Sequence, residues 1–289
     1  MAAHPLVAGA GILVTGRHGS KVAGRRPAMR PSFPGLATAR FTGDTPLVEQ
    51  AEYALMDAVE DRMWWYRALH RRAEALLRPL PDGGSVLDAG CGTGGFLRRL
   101  RSARPGLRLF GLEYAEAAAC RAREKTGAAI ASGTVNALPF PDGCFDAVAS
   151  FDVLSHRAVE PSEALAEFRR VLRPGGMLAL NLPAHEWLRS AHDARVHNAR
   201  RFSQAGARAM LEAAGFGTVR ARHWNSLLLP LMLLQRRVLA RRDDAASDVT
   251  EYPPWLDRAL FAATEAEWGL ARAGLPFPAG GSLLLTATR

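Results

Sequence analysis

The stretch Val86-Leu87-Asp88-Ala89-Gly90-Cys91-Gly92-Thr93-Gly94-Gly95 decides how the chain is read. Val86 to Ala89 is a short apolar run broken only by Asp88, as expected of a strand buried on both faces of a parallel sheet. Gly90 and Gly92 permit a tight turn and let a ligand approach the backbone closely. From Gly94 the spacing becomes helical, so the loop also offers the unpaired N–H groups of a new helix to something negatively charged. Strand, glycine turn and helix in that order place a nucleotide-like cofactor at the end of the first strand.

Moving outward, the same alternation repeats. Apolar runs at 107–112, 128–131, 145–150, 177–182, 216–223 and 282–287 are separated by helical patterns at 115–125, 163–172 and 203–214, the last closing at Gly215. Strands alternating with helices imply a parallel sheet covered on both faces. The expected fold is α/β, a Rossmann-like, doubly wound, mostly parallel seven-stranded sheet. Five segments are expected: 1–46, a disordered extension rich in Gly, Pro and Arg; 47–82, an N-terminal helical lid; 83–223, the cofactor-binding core; 224–280, a helical cap inserted before the last strand; and 281–289, that strand.

Composition limits the partners. The chain has 289 residues with 37 Lys plus Arg against 28 Asp plus Glu, a formal charge of +9. Arg17, Lys21, Arg25, Arg26, Arg30 and Arg40 face only Asp44 within residues 1–46, so more than half of the excess lies on the extension. The core is only mildly basic, and nucleic acid is not expected as a partner. Cys91, Cys120 and Cys144 are odd in number and widely spaced, which suggests neither a disulfide framework nor a metal knuckle; no metal is expected, and a reduced cytoplasmic setting fits. No apolar run reaches the roughly 18 residues of a spanning helix.

Gly90, Gly92 and Gly95 satisfy the dinucleotide fingerprint G-x-G-x-x-G, so the glycines alone leave nicotinamide or flavin open beside S-adenosylmethionine. Asp88, Gly90, Gly92 and Gly94, however, match D-x-G-x-G-x-G, and here the chain resembles the class I S-adenosylmethionine-dependent methyltransferases, in particular small-molecule "type 11" bacterial forms. A carboxylate at the strand end suits a cofactor bearing an ammonium and a sulfonium and would repel a pyrophosphate. Glu113 closes the next strand at about the 20-residue interval where an acid meets ribose hydroxyls, and it matches the family's ribose acid. The segment from Gly133 to Asp146 and the turn Leu172-Arg173-Pro174-Gly175-Gly176 resemble two further family elements. One position departs: Thr134 stands where the family usually has an Asp for the adenine amino group, which shifts that contact toward backbone near Val135 and apolar packing. The resemblance implies S-adenosyl-L-methionine held by Asp88, Gly90, Cys91, Gly92, Gly94, Glu113, Thr134, Val135 and Phe151.

Ligands of open α/β sheets bind beyond the carboxyl ends of the strands. Asp152 and His156 follow the fourth strand; His185, His192, Asp193 and His197 follow the fifth. His156 and then His192 are the candidate bases, because imidazole titrates near neutrality. Trp64-Trp65-Tyr66, an element of the same bacterial subgroup, either covers the cofactor or forms core. The chain reads Ser150-Phe151-Asp152-Val153 where amine methyltransferases carry an Asn-Pro-Pro-aromatic or Asp-Pro-Pro-aromatic tetrapeptide, so an oxygen or carbon acceptor is expected, on a small molecule or a lipid-linked one. Leu227 to Leu234, apolar apart from Pro230, precedes Arg236, Arg237, Arg241 and Arg242. It reads as a cap helix packed on the core, or else as peripheral contact of residues 225–242 with the inner face of a membrane. An NAD-dependent oxidoreductase and a non-catalytic cofactor-binding, membrane-associated protein are the alternatives.

Overall fold

The computed structural model describes residues 50–189, 193, 197–234 and 252–289. The 1–46 extension, His192 and the arginines at 236, 237, 241 and 242 lie outside the described residues. Seven strands, β1 (Ser85–Ala89), β2 (Arg108–Glu113), β3 (Ala129–Ser132), β4 (Phe145–Phe151), β5 (Leu172–Pro183), β6 (Gly217–Trp224) and β7 (Ser282–Thr288), form one sheet in the order β3-β2-β1-β4-β5-β7-β6. Strands β1 to β5 pair in parallel. β7 enters antiparallel between β5 and β6, so β6 points the same way as the parallel strands.

The alternation along β1 shows how the core is divided. Leu87 packs with α5 (Pro161–Val171) and α6 (Gln204–Ala213), through residues such as Leu165, Phe168 and Leu211. Val86, on the opposite face, packs with α3 (Gly95–Ala103) and α4 (Glu116–Thr126), through Phe96, Leu97, Leu100 and Ala119. A period-2 strand buried on both sides requires a helix layer on each. Local signals set the ends: Ser203 accepts from the Gly206 amide as the N-cap of α6, and Gly127 closes α4 in the left-handed conformation at φ 60.

Arg173 to Gly176 does not precede the fifth strand as a turn. It lies inside β5 as a bulge, because pairing with β4 jumps from Phe145↔Leu172 to Ala147↔Met177. The extra residues are held by the chain end, with Gly175 N–H donating to Arg289 O and Arg289 N–H to Gly176 O. Asp146 accepts from the Ser85 amide at 2.7 Å and pairs with Arg173. It is a strut of the sheet.

Among the described residues two helices precede the sheet, α1 (Gln50–Val59) and α2 (Trp64–Leu76). Charge ties α1 down: Lys125 of α4 pairs with Asp57 and Glu60, and Arg121 donates to Asp57 at 2.8 Å. Helix α2 crosses α8 (Pro254–Arg272), where Asp257 accepts from the Trp64 amide at 2.6 Å and from Arg67 at 3.0 Å. Between β6 and α8 lies α7 (Leu229–Leu234), which meets the rest of the fold through Met232, a lining residue of the cavity described below. None of its residues is buried, and Leu227, Leu231 and Leu234 are 46%, 49% and 58% exposed.

Lys125 is the cation that balances the buried carboxylate of Glu60, whose side chain is only 5% exposed. Lys125→Met should therefore cost about 3 kcal/mol in chemical denaturation. Adding Glu60→Gln, which removes the orphaned charge, should restore part of that loss.

Candidate active site

The carboxyl ends of β1, β2, β4 and β5 open into a cavity of about 370 Å³, roofed by α1 and α2. Its lining divides by chemistry. One part is the glycine loop with Asp88, Glu113, Thr134 and Val135; another is apolar and aromatic, with Met63, Trp65, Tyr66, Leu69, Phe96 and Phe151; a third is polar, with Asp152, His156, Asp193, Asn198 and Arg201.

The loop is committed to its own architecture. Gly90 N–H and Cys91 N–H both donate to Leu112 O, at 2.8 and 2.9 Å, and Gly92 N–H donates to Glu113 Oε2 at 2.9 Å. These amides are occupied by the end of β2, so they do not form the anion cradle that the glycine pattern suggested. Gly90 sits at φ +91, and a Cβ there would lie 2.3 Å from Val153 Cγ2, so only glycine fits. Gly94, also left-handed, does not line the cavity. A Cβ on it would press on Thr126 and Ala122, so it serves the packing of α3 on α4.

Three carboxyl groups meet at this end. Asp88 is 2% exposed and accepts no hydrogen bond among the described residues; burial, then the charges of Glu113 and Glu60, push it up to about 8. Burial also raises Glu113, against the opposing effect of donation from the amides of Ala115 and Gly92 and the Tyr53 hydroxyl, which lies 2.8 Å away. Burial raises Glu60 too, although Lys125 and Thr93 donate to it. A buried carboxyl group without a donor, beside a loop with no free amide at its first three positions, suits a cation and disfavours a pyrophosphate.

At the other end, Asp152 follows β4 directly in the left-handed region, at φ 58. Burial pushes it up to about 7, opposed by hydrogen bonding from Asn181. Arg201, itself a cavity residue, is paired with buried Asp193. His156 lines the cavity, and its backbone bridges to Asn198. His70, driven down to about 3 by burial and by the charges of Arg99 and Lys125, is a neutral imidazole against Phe96 and Tyr66.

Of the residues named from sequence, Asp88, Gly90, Cys91, Gly92, Glu113, Thr134, Val135, Phe151 and His156 line this one cavity. Thr134 also caps its own turn, its hydroxyl accepting from Asn136 N–H at 3.2 Å. Trp64 is buried, while Trp65 and Tyr66 face the cavity, so the aromatic element is both core and cover. Tyr53, Glu60, His70 and Arg201 were missed as site residues. Only the Arg200-Arg201 pair near Asp193 carried a sequence signal for any of them.

Residues 87–180 match the family model for a methyltransferase domain. The chain is 33% identical over 125 residues to the ubiquinone/menaquinone biosynthesis C-methyltransferase of Geobacter sulfurreducens, covering 40% of this chain and 46% of that protein. It is 33% identical over 144 residues to the 2-methyl-6-phytyl-1,4-hydroquinone methyltransferase of Synechocystis, covering 48% of this chain and 41% of that protein. The chain thus spans less than half the length of these two relatives. A chain from the complex between the Haloferax volcanii Trm112 methyltransferase activator and its methyltransferase superposes with a TM-score of 0.55 at 25% identity, covering 83% of this chain and 94% of that one. Residues 87–180 thus carry a methyltransferase domain, and the chain is similar over that region to S-adenosylmethionine-dependent methyltransferases. That decides between the cofactors the glycine loop left open, in favour of S-adenosylmethionine.

The carboxyl group of Asp88 keeps its proton to higher pH in the folded protein than in the unfolded chain. Between about pH 4 and pH 8 the unfolded chain therefore holds fewer protons, and stability falls as pH rises. The melting temperature of ligand-free protein should decline across this window. Asp88→Asn should flatten the decline and leave the variant more stable than the parent at pH 8, while weakening S-adenosylhomocysteine binding at least tenfold by calorimetry.

Proposed function

We propose that this chain transfers a methyl group from S-adenosylmethionine to an oxygen or carbon of a small or lipid-linked acceptor with an apolar, aromatic body. One observation carries the reading: an acidic, buried end and an aromatic, methionine-lined end share one cavity beneath the same helical roof. Asp88, Gly90, Cys91, Gly92, Glu113, Thr134, Val135 and Phe151 would hold the cofactor, with Glu113 on its ribose and Asp88 toward its cationic part. When bound, it supplies a methyl group activated on a positively charged sulfur. The protein's part is to align the acceptor, exclude water and accept a proton where the acceptor carries one. His156 lines the cavity where such a proton would be released, and His192 remains a second candidate outside the described residues. The acceptor preference is supported by Met63, Trp65, Leu69 and Phe151 on the cavity wall, and by relatives whose names specify quinone-type acceptors.

The decisive experiment supplies methyl-labelled cofactor to the protein with a metabolite and lipid extract and identifies the product by mass. Label in an apolar aromatic product is expected. Intact S-adenosylhomocysteine binding with no labelled product would favour the non-catalytic alternative.

Lipid-linked acceptors make peripheral contact with the cytoplasmic face of a membrane part of the same proposal. No helix among the described residues is long and apolar enough to cross a membrane. Leu227, Leu231 and Leu234 are exposed just before the arginines at 236, 237, 241 and 242, and exposed leucines beside basic residues suit an anionic lipid surface. Retention on vesicles containing phosphatidylglycerol should fall when those four arginines are changed to Gln. Equal retention of both proteins would remove the membrane contact.

A further inference from the structure

The methyl-transfer reading leaves open which group receives the proton of a hydroxyl acceptor. We propose that Asp152 is that group, and that Asn181 and Trp224 are the positioning residues that aim and tune it. The inference rests on the methyl-transfer reading and narrows it to an oxygen acceptor, because the proton that Asp152 would take belongs to a hydroxyl whose oxygen then forms the new bond.

Asp152 is held where it costs the chain something to be. Its φ of 58 lies in the left-handed region, and non-glycine residues held there cluster at working sites. The backbone is fixed by donation from Asp152 N–H to Asn181 O at 2.9 Å. The carboxyl group is fixed by the same residue: Asn181 Nδ2 lies 3.0 and 2.9 Å from its two oxygens.

Asn181 is completely buried, and its Oδ1 accepts from Trp224 Nε1 at 2.7 Å. That bond prevents the amide from turning its oxygen toward the carboxylate, so the donor always faces Asp152. Trp224 is locked in turn. Trp65 of α2 stacks on it at 6.0 Å, and the guanidinium of Arg72 lies 4.9 Å from its ring. A buried chain of partnered groups therefore runs from the roof helix α2 through β6 and β5 to Asp152 at the end of β4.

The charged surroundings let Asp152 exchange a proton. Asn181 donates from β5; Arg201 attracts but is shared with Asp193, which repels; His156 stands on the same loop and lines the same cavity. In the step, the acceptor O–H bond breaks and its proton passes to an Asp152 oxygen. The electron pair left on the acceptor oxygen forms the new bond to the methyl carbon, while the carbon–sulfur bond breaks with its pair remaining on sulfur. Asp152 then releases its proton to water.

The test follows the carboxyl group directly in full-length protein labelled with ¹³C at aspartate Cγ, with S-adenosylhomocysteine bound. A resonance titrating near pH 7 should vanish in Asp152→Asn. It should move to higher pH in Asn181→Ala, which loses a donor to the charged form, and by less in Trp224→Phe, which keeps the ring stack but frees the amide. With the acceptor recovered from the labelled extract, Asp152→Asn should lower kcat by about 10² or more with cofactor affinity within threefold of the parent. Asp152→Glu should recover part of that rate. The acid limb of the Asn181→Ala pH profile should follow the shifted resonance.

An Asp152 resonance titrating below pH 5, or unmoved by Asn181→Ala, overturns the proposal. So does an acid limb that disappears in His156→Ala but persists in Asp152→Asn, or a product methylated on carbon or nitrogen. Absence of transfer to any acceptor would instead overturn the reading on which the proposal rests, a result the titration does not depend on.

Discussion

Crowding of three carboxyl groups at one end of the cavity is the constraint on which the remaining structure depends. Asp88 closes β1, Glu113 closes β2, and Glu60 arrives from the roof. Desolvation makes each unfavourable as an anion, and proximity makes them worse together. The fold answers in parts. Lys125 and Thr93 partner Glu60, and Tyr53 with the loop amides partners Glu113. Asp88 accepts no hydrogen bond among the described residues. A cation beside Asp88 would offset the repulsion, so the arrangement favours a positively charged ligand.

The roof is consequently more than a cover. Helix α1 contributes Tyr53 and, at its end, Glu60 to the acidic end of the cavity, while α2 contributes Trp65, Tyr66 and His70 to its aromatic wall. Both helices are pinned to the core by charge, α1 through Lys125 and Arg121 and α2 through Asp257 and buried Arg72. Placement of the roof therefore acts on both ends of the cavity: on the acids directly, and on Asp152 through Trp65, Trp224 and Asn181. Such buried polar chains are costly unless every member is partnered. Here the members meet donors and acceptors drawn from four separate elements.

Much of the fold was legible in the chain. Strand and helix periods, the glycine turn and the capping residues are local properties, and they placed the seven strands and the main helices of the core to within a few residues. Two features were not legible there, because pairing and burial are not local. Arg173 to Gly176 has the chemistry of a free turn but is drawn into β5 by the chain end. Leu227 to Leu234 has the composition of a core helix, yet Leu227, Leu231 and Leu234 are exposed, because burial is set by what the fold brings over a segment.

For the site, the sequence by itself determined the loop, the acids at the ends of β1 and β2, and the position of Asp152 after β4, because strand ends follow from periodicity and ligands of such sheets bind there. Only the tertiary structure decided which of these groups are partnered and which are not. Asp88 and Asp152 are both carboxyl groups at strand ends. One is left without a donor and the other is held by a single amide, since Asn181, Trp224 and Glu60 come from distant parts of the chain. Their effect depends on distances of about 3 Å that no spacing in sequence encodes.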